Sequence, residues 1–214
     1  MPLPKPYYDR DGITIYHGDC KDILPELPKV DLVLTDPPYG IGKDGQDAFI
    51  GVHGGRKSYD FMGWDKDTPS EDVLRICLGA GREHCFWGAN YFSGVFPPSM
   101  GWLVWDKGQR IKQSDGELAY TSRNSALRIK TINRAELMRD GAAHPTQKPL
   151  KLMLWCIELF QGVTTILDPF MGSGTTLVAA KQLYRKAIGI EVEEKYCEIA
   201  VKRLAQGVLP LGGE

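Results

Sequence analysis

The sequence predicts an α/β fold in which a mostly parallel sheet carries helices on both faces. Two observations support this prediction: short apolar runs recur along the chain, and helical patterns lie between them. Nearly continuous apolar runs are typical of strands buried on both faces, as in parallel sheets. Their alternation with helical segments indicates helices packed on that sheet. The length of 214 residues suits one domain, and we predict a single domain over 1–214.

Six runs are predicted as strands, because each is apolar and ends at a polar or turn residue. They span residues 13–17, 31–35, 84–87, 102–105, 164–167 and 187–190. The residues that follow them are, in the same order, Gly18, Asp36, Gly88, Asp106, Asp168 and Glu191.

Four segments between these runs are predicted as helices. Residues 70–79 begin with Ser70, a typical N-cap residue, and continue with Glu71 and Asp72 in the first turn. The others carry apolar residues at three-to-four spacing or follow a glycine turn, and they span 146–160, 175–184 and 193–206.

Two stretches lack this pattern. Residues 40–65 contain seven glycines and no periodicity, and we expect a flexible, functional loop there, because long loops in compact domains usually carry function. Residues 108–143 mix basic residues with a short strand-like run at 126–129.

The composition excludes several classes of protein. The chain has 26 Lys and Arg residues against 27 Asp and Glu, with 43% hydrophobic residues, so neither a disordered chain nor a polycation that coats nucleic acid by charge alone fits. The five cysteines are scattered without zinc-ligand spacing, and we predict reduced thiols and no metal site. The longest apolar stretch, residues 152–157, is too short to span a membrane. We therefore expect a soluble, cytoplasmic protein with no membrane partner.

Two strand ends share one form. The first is Asp36-Pro37-Pro38-Tyr39 and the second is the segment 168–174, which begins Asp-Pro and ends Gly-Ser-Gly. Each places a carboxylate where the strand stops, followed by proline that cannot continue the pairing. Ligands bind beyond the carboxyl ends of parallel strands, so neighbouring strands here would open two half-sites onto one cleft.

The glycine segment differs from known phosphate-binding loops. No Lys follows Gly174, as a P-loop requires, and Leu177 stands where a dinucleotide fingerprint has its third glycine. The segment opens a helix, and Glu191 ends the next strand, where an acidic residue suits two ribose hydroxyls. A tight strand-to-helix turn without a ligand is the alternative.

Five segments together closely resemble the DNA amino methyltransferases that use S-adenosylmethionine, the adenine-N6 and cytosine-N4 family. In chain order they are Gly18-Asp19-Cys20, residues 36–39, residues 144–149, residues 168–176 and Glu191. The segment 36–39 precedes the glycine segment, which is similar to the circularly permuted, β-type motif order of that family. The resemblance covers nearly the whole chain and implies a Rossmann-like methyltransferase fold.

The resemblance also implies a direct methyl transfer that needs no metal. The exocyclic amine of a base is a poor nucleophile, because its lone pair is delocalised into the ring. Asp36 and the Pro37 carbonyl would accept the two N–H groups and direct that lone pair toward the methyl group. Tyr39, after Pro38, would stack on a base flipped out of the duplex.

The same resemblance implies residues that bind the cofactor. Asp19, beside Cys20, would bond the adenine of S-adenosylmethionine, and Glu191 would hold its ribose hydroxyls. Phe170, Gly172 and Gly174 would wrap the methionine part. The further residues that the resemblance implies for cofactor binding are Cys20, Asp168, Ser173 and Thr175.

The segment that starts at His144 is expected to begin a helix and to contact the amino-acid end of the cofactor. Thr146, Lys148 and the helix N-terminus would suit its carboxylate. A solvated Lys148 without a ligand is an equally open alternative.

Basic residues concentrate between positions 107 and 134. Seven stand against two acidic residues, a balance of +5 in a chain of net charge -1. We expect them to contact the phosphates of double-stranded DNA, with a merely solvated face as the alternative. The candidates are Lys107, Arg110, Lys112, Arg123, Arg128 and Lys130, and the 40–65 loop near the target base adds Lys43, Arg56 and Lys57.

The base and the breadth of recognition stay open. Asp rather than Ser before Pro-Pro-Tyr favours adenine-N6 over cytosine-N4 methylation, while an RNA substrate and an inactive subunit that binds the cofactor or DNA are further alternatives. Only residues 108–143 are available as a target-recognition segment, so we expect a short or relaxed site, or a homodimer in which a second subunit adds surface. The family also suggests a role in restriction–modification.

Overall fold

The computed structural model describes residues 2–40, 48–49, 56–57, 68–108, 114–133 and 147–206, with 48–49 and 56–57 described by their backbone alone. The strands are β1 (Tyr8–Arg10), β2 (Ile13–His17), β3 (Val30–Thr35), β4 (Ala48–Phe49), β5 (Arg56–Lys57), β6 (Gly81–Trp87), β7 (Leu103–Asp106), β8 (Gly116–Thr121), β9 (Arg128–Thr131), β10 (Thr165–Asp168) and β11 (Lys186–Glu191). The helices are α1 (Cys20–Ile23), α2 (Glu71–Gly79), α3 (Leu150–Glu158), α4 (Thr175–Gln182) and α5 (Glu194–Ala205), with 3-10 turns at Leu24–Glu26 and Ala89–Tyr91.

Nine of these strands form one sheet in the order β1-β2-β11-β10-β3-β6-β8-β7-β9, and β4 pairs with β5 separately. The central run β2-β11-β10-β3-β6 is parallel throughout. Strand β8 lies antiparallel between β6 and β7, and β1 is an antiparallel edge strand. The predicted α/β fold with a mostly parallel sheet is therefore confirmed.

Helices cover both faces of the sheet. Alternate residues of a strand point to opposite faces, and in β3 the side chains of Leu32 and Leu34 pack with those of α3, α4 and α5. Val33, between them, packs with Ile23 of α1 and Leu74 of α2 on the other face. Each face thus buries its own apolar cluster, which confirms the predicted layers.

All six predicted strands and all four predicted helices are present, with boundaries shifted by up to four residues. Strands β1 and β8 were not predicted, because neither has a continuous apolar run. Strand β8 (Gly-Glu-Leu-Ala-Tyr-Thr) owes its conformation to the two neighbours with which it pairs. The strand-like run at 126–129 corresponds to β9, which begins two residues later.

The start of the helix predicted over residues 146–160, which corresponds to α3, was wrong. Helix α3 begins at Leu150, and Gln147, Lys148 and Pro149 before it are not helical. The ring of a proline disfavours the helical region for the residue before it, and Pro149 itself has φ −57° and ψ 137°. Lys148 therefore lies on a non-helical segment that leads into α3.

All five cysteines are buried as free thiols. Across the described residues, no cluster of three or more His, Cys, Asp or Glu side chains could hold a metal ion. No helix in the described ranges combines the length and the apolar character needed to cross a membrane.

Candidate active site

The two predicted half-sites lie side by side. Strands β3 and β10 are parallel neighbours, with Leu32 opposite Ile166. At their carboxyl ends the Thr35 hydroxyl donates to Asp168 Oδ1 at 2.7 Å. Asp36, the next residue after Thr35, is therefore adjacent to the segment that continues from Asp168 into the glycines.

The glycine segment turns sharply before α4. Gly172 and Gly174 have positive φ angles of 49° and 78°, which favour glycine because it has no Cβ. A Cβ at Gly174 would lie 2.7 Å from the Cβ of Ala200 in α5, whereas a Cβ at Gly172 would meet no atom within 4 Å. Gly174 thus permits close helix packing, and Gly172 borders open space.

Glu191, at the end of β11, is held by backbone donors. Its Oε2 accepts a hydrogen bond from Gly172 N and its Oε1 accepts one from Glu193 N, both at 2.9 Å. Burial raises the pKa of Glu191 to about 7 against these hydrogen bonds. Gly18 N donates to Glu191 O at 2.9 Å, so the exposed Asp19, whose side chain caps α1, lies near the same strand end.

The other described cofactor candidates are mostly buried against the protein. Cys20 is buried. Asp168 is also buried and accepts hydrogen bonds from Thr35 and from Phe170 N. Burial raises the pKa of Asp168 to about 6. These contacts tie the strand ends together, and ligand contacts at these positions stay predictions.

Arg203 of α5 supports the glycine segment and was not identified from the sequence. Its guanidinium donates to Ser173 O at 2.7 Å, and to Ser173 Oγ and Thr175 Oγ1 at 3.0 Å. Ser173 Oγ also donates to Gln147 Oε1 at 3.2 Å. No local sequence signal links position 203 to position 173, because the contact depends on how α5 packs.

Asp36 lies in a network of side chains. The Tyr39 hydroxyl donates to Asp36 Oδ1 at 2.5 Å, and Lys148 Nζ donates to Asp36 Oδ2 at 2.5 Å. The Asp36 side chain is 27% exposed, but the packing around the carboxyl group removes enough water to raise its pKa, an effect that Lys148 partly opposes.

Lys148 is only 7% exposed, so the alternative of a solvated charge is wrong. Its Nζ also donates to the Tyr39 hydroxyl at 3.0 Å and lies 2.9 Å from Glu117 Oε2. Burial lowers the pKa of Lys148, but the carboxylates of Asp36 and Glu117 outweigh it and hold that pKa well above its usual value. The structure sets Lys148 against Asp36, and its contact with the cofactor stays a prediction.

Glu117, on β8, is a further residue that the sequence did not single out. Its Oε1 pairs with Lys107 Nζ at 2.8 Å, while its Oε2 faces Lys148 as an ion pair without hydrogen-bond geometry. Burial raises its pKa, yet Lys148 and Lys107 together lower it to about 2. Asp36, Lys148, Glu117 and Lys107 therefore alternate in charge.

The Tyr39 ring is packed tightly. Tyr91 stacks on it with ring centroids 4.9 Å apart and an interplanar angle of 16°. A Cβ at Gly88, where φ is 67°, would lie 1.9 Å from Tyr39 Cε1, so glycine is required there. A cavity of about 150 Å³ adjoins this ring and is also lined by Tyr91, Lys107 and Glu117.

The described candidates for phosphate binding differ in their surroundings. Arg128 on β9 is exposed, and Lys130 is partly exposed. Lys107 is paired with Glu117, and the Arg123 guanidinium lies 5.9 Å from the centre of the Phe160 ring. Only the first two thus face solvent with their charge in the way that a phosphate contact requires.

Several predicted residues lie outside the described residues. These are Lys43, Arg110, Lys112, His144 and Thr146, while Arg56 and Lys57 are described by backbone alone.

Solved structures of DNA methyltransferases share this fold. The crystal structure of an M1.HpyAVI–SAM complex matches with a TM-score of 0.59 and 23% identity over 90% of this chain and 99% of that chain. The PvuII DNA methyltransferase, described as cytosine-N4-specific, matches with a TM-score of 0.64 and 16% identity over 96% of this chain and 90% of that one.

Relatives by sequence extend over nearly the whole chain. The type II methyltransferase M2.LlaDCHI of Lactococcus lactis subsp. cremoris is 27% identical over 96% of this chain and 94% of its own length. M2.DpnII of Streptococcus pneumoniae is 26% identical over 94% of this chain and 93% of its own. The model of the DNA methylase family matches residues 86–202, more than half of the chain. The chain therefore belongs to the N6/N4 DNA methylase family.

Proposed function

We propose that this protein is a DNA adenine-N6 methyltransferase that uses S-adenosylmethionine to methylate an adenine flipped out of double-stranded DNA. The observation that carries the proposal is the hydrogen bond of 2.7 Å between Thr35 and Asp168. It joins the strand end that bears Asp36 to the glycine segment, so a methyl acceptor and a methyl donor bound there would be neighbours.

The residues around Glu191 fit S-adenosylmethionine. Each Glu191 oxygen accepts one backbone hydrogen bond and keeps a second lone pair for a ribose hydroxyl. The open space at Gly172 leaves room for the methionine part, and Asp19 is exposed near the same strand end for the adenine. When bound, this cofactor supplies an electrophilic methyl group on sulfur.

Asp36 is the residue that would prepare the amine. Its carboxylate accepts one N–H of the target amine and the Pro37 carbonyl accepts the other, which turns the nitrogen lone pair toward the methyl group. The amine loses a proton when it is methylated, and the nearby Asp36 carboxylate, whose pKa is raised by burial, can take it. Tyr39 packs on the base from beside Asp36.

Adenine is the proposed base because this chain has Asp36 before Pro37. Within the family, Asp at this position favours adenine, whereas Ser favours cytosine. The proposed contacts to DNA begin with Arg128, which is exposed and would bind a phosphate. Residues 108–143 would form the recognition segment, and a homodimer would supply surface that so short a segment lacks.

Nucleoside analysis tests the proposal. DNA is incubated with the purified protein and S-adenosylmethionine and digested to nucleosides. The nucleosides are then identified by mass spectrometry. We expect N6-methyladenine, absent from a reaction with Asp36→Ala, while that variant still binds the cofactor. N4-methylcytosine alone would contradict the choice of base, and unchanged transfer by Asp36→Ala would contradict the mechanism.

A further inference from the structure

Both oxygens of the Asp36 carboxylate accept hydrogen bonds from neighbouring side chains. Tyr39 donates to Oδ1 and Lys148 donates to Oδ2, each at 2.5 Å. An incoming amine also donates, so it must share an acceptor oxygen with one of these donors or replace that donor. The Tyr39 hydroxyl comes from the same short segment as Asp36, so the Lys148 ammonium is the partner that can be exchanged.

The ammonium has a second carboxylate within reach. Lys148 Nζ lies 2.9 Å from Glu117 Oε2, and both side chains are largely buried, at 7% and 18% exposure. A buried ammonium without a partner is costly. Glu117 therefore gives Lys148 a counter-charge that does not depend on Asp36.

Glu117 is itself anchored. Lys107 Nζ pairs with Glu117 Oε1 at 2.8 Å and lies 5.1 Å from the centre of the Trp105 ring. Lys107 directly follows β7, and its backbone N–H donates to Asp115 O at 2.9 Å. Because Glu117 lies on β8, which pairs with β7, the sheet fixes their relative position.

We propose that Glu117, anchored by Lys107, is a positioning residue for methyl transfer, which keeps the Lys148 ammonium paired while the amine of the target base takes up Asp36. This inference rests on the proposed function. It assigns to an acidic residue of β8, and to a lysine that the sequence suggested for phosphate binding, an indirect role at the reacting amine.

The charges that face Asp36 set the expected pH dependence. Lys148 lowers the pKa of Asp36, whereas Glu117 raises it; Tyr39 donates to it, and the buried Asp168 on β10 is a nearby acid. Asp36 acts as a carboxylate, so transfer is lost as the pH falls through its pKa. Removing the Glu117 charge lowers that pKa and moves the acid limb of kcat to lower pH. Removing the Lys148 charge moves the limb to higher pH.

The test compares Glu117→Gln and Lys148→Met with the unaltered protein, using kcat and KM for DNA across pH and the Kd of the cofactor. We expect kcat of Glu117→Gln to fall about tenfold, because the ammonium stays on Asp36 and the amine is misplaced. KM for DNA and the cofactor Kd of Glu117→Gln should stay unchanged, and the acid limbs of the two variants should move in opposite directions. Glu117→Asp, which keeps the charge, should recover part of the rate.

Glu71→Gln is the matched control, because it removes a carboxylate from an exposed ion pair with Arg75 on α2, outside the site. A Glu117→Gln variant with the unaltered rate and pH profile would overturn the inference. A lower rate without opposite shifts of the acid limbs of kcat in Glu117→Gln and Lys148→Met would overturn it as well, because it would indicate a structural effect. A lowered Tm would reveal such an effect independently. If the unaltered protein methylated no DNA, the proposed function would fail first, and this inference with it.

Discussion

The carboxylates at two strand ends are held in different ways. Glu191 is bound by backbone N–H groups of Gly172 and Glu193, which lie 19 and 2 residues away along the chain. Asp36 is bound by side chains, that of Tyr39 three residues away and that of Lys148 112 residues away. Backbone donors are fixed in position, whereas side chains can change partners. The Glu191 end is thus suited to hold a ligand and the Asp36 end to exchange partners during a reaction.

This contrast predicts that a substitution of Asp36 lowers kcat, whereas a substitution of Glu191 weakens cofactor binding. Asp36→Asn should lower kcat by about 10²- to 10³-fold, because its carboxylate would stabilise charge that develops on the amine. The cofactor Kd should change little, since the Glu191 end is untouched. Single-turnover methylation and calorimetry measure the two quantities. Asp72→Asn on the exposed first turn of α2 is the control. An unchanged kcat in Asp36→Asn would contradict the proposed role of Asp36 in the transfer.

Glu191→Gln should have the converse effect. The new amide N–H group would face one of the backbone N–H donors, Gly172 or Glu193, and the charged hydrogen bonds to the cofactor would be lost. Such bonds contribute about 1.5–3 kcal/mol, so the cofactor Kd should rise about tenfold to a hundredfold. At saturating cofactor, kcat should stay near that of the unaltered protein. A large loss of kcat with an unchanged Kd would contradict the assignment.

The affinity for the cofactor should also depend on pH. Burial raises the pKa of Glu191 to about 7, helped by the charges of Asp168 and Glu193. The ionised form accepts the ribose hydroxyls, so affinity is full above that pKa and falls as the pH decreases through it. Between pH 8 and pH 6 the Kd should rise about tenfold. Calorimetry across this range checks the slope, which should be absent in Glu191→Gln.

Two glycine substitutions give the smallest and most selective effects. Gly88→Ala and Gly172→Ala both place a Cβ at a positive φ, a strain that costs about 1–2 kcal/mol of stability; at Gly88 the clash with Tyr39 adds to this cost. Gly88→Ala also displaces Tyr39 and should lower kcat severalfold, whereas Gly172→Ala meets no protein atom and should weaken only cofactor binding. Thermal melts measure the loss of stability in both variants. An effect of Gly172→Ala on kcat alone would contradict the assignment of Gly172 to cofactor binding.

Much of the fold and part of the site could be predicted from the sequence. The apolar runs identified the parallel strands, because residues buried on both faces must be apolar whatever their neighbours are. The residues of 36–39 and 168–174 were recognisable because proline and glycine fix local backbone geometry. Strand β8 was not recognisable from the sequence, because its polar residues adopt the strand conformation only through pairing with β6 and β7.

By itself, therefore, the sequence determined the strand ends, the glycine turn before α4 and the family to which the chain belongs. Only the tertiary structure decided that Lys148 pairs with Asp36, that Glu117 and Lys107 extend this network, and that Arg203 supports Ser173. The reason is physical: local conformation follows from nearby residues, whereas contacts between buried charges distant in the chain exist only after strand order and helix packing bring them together.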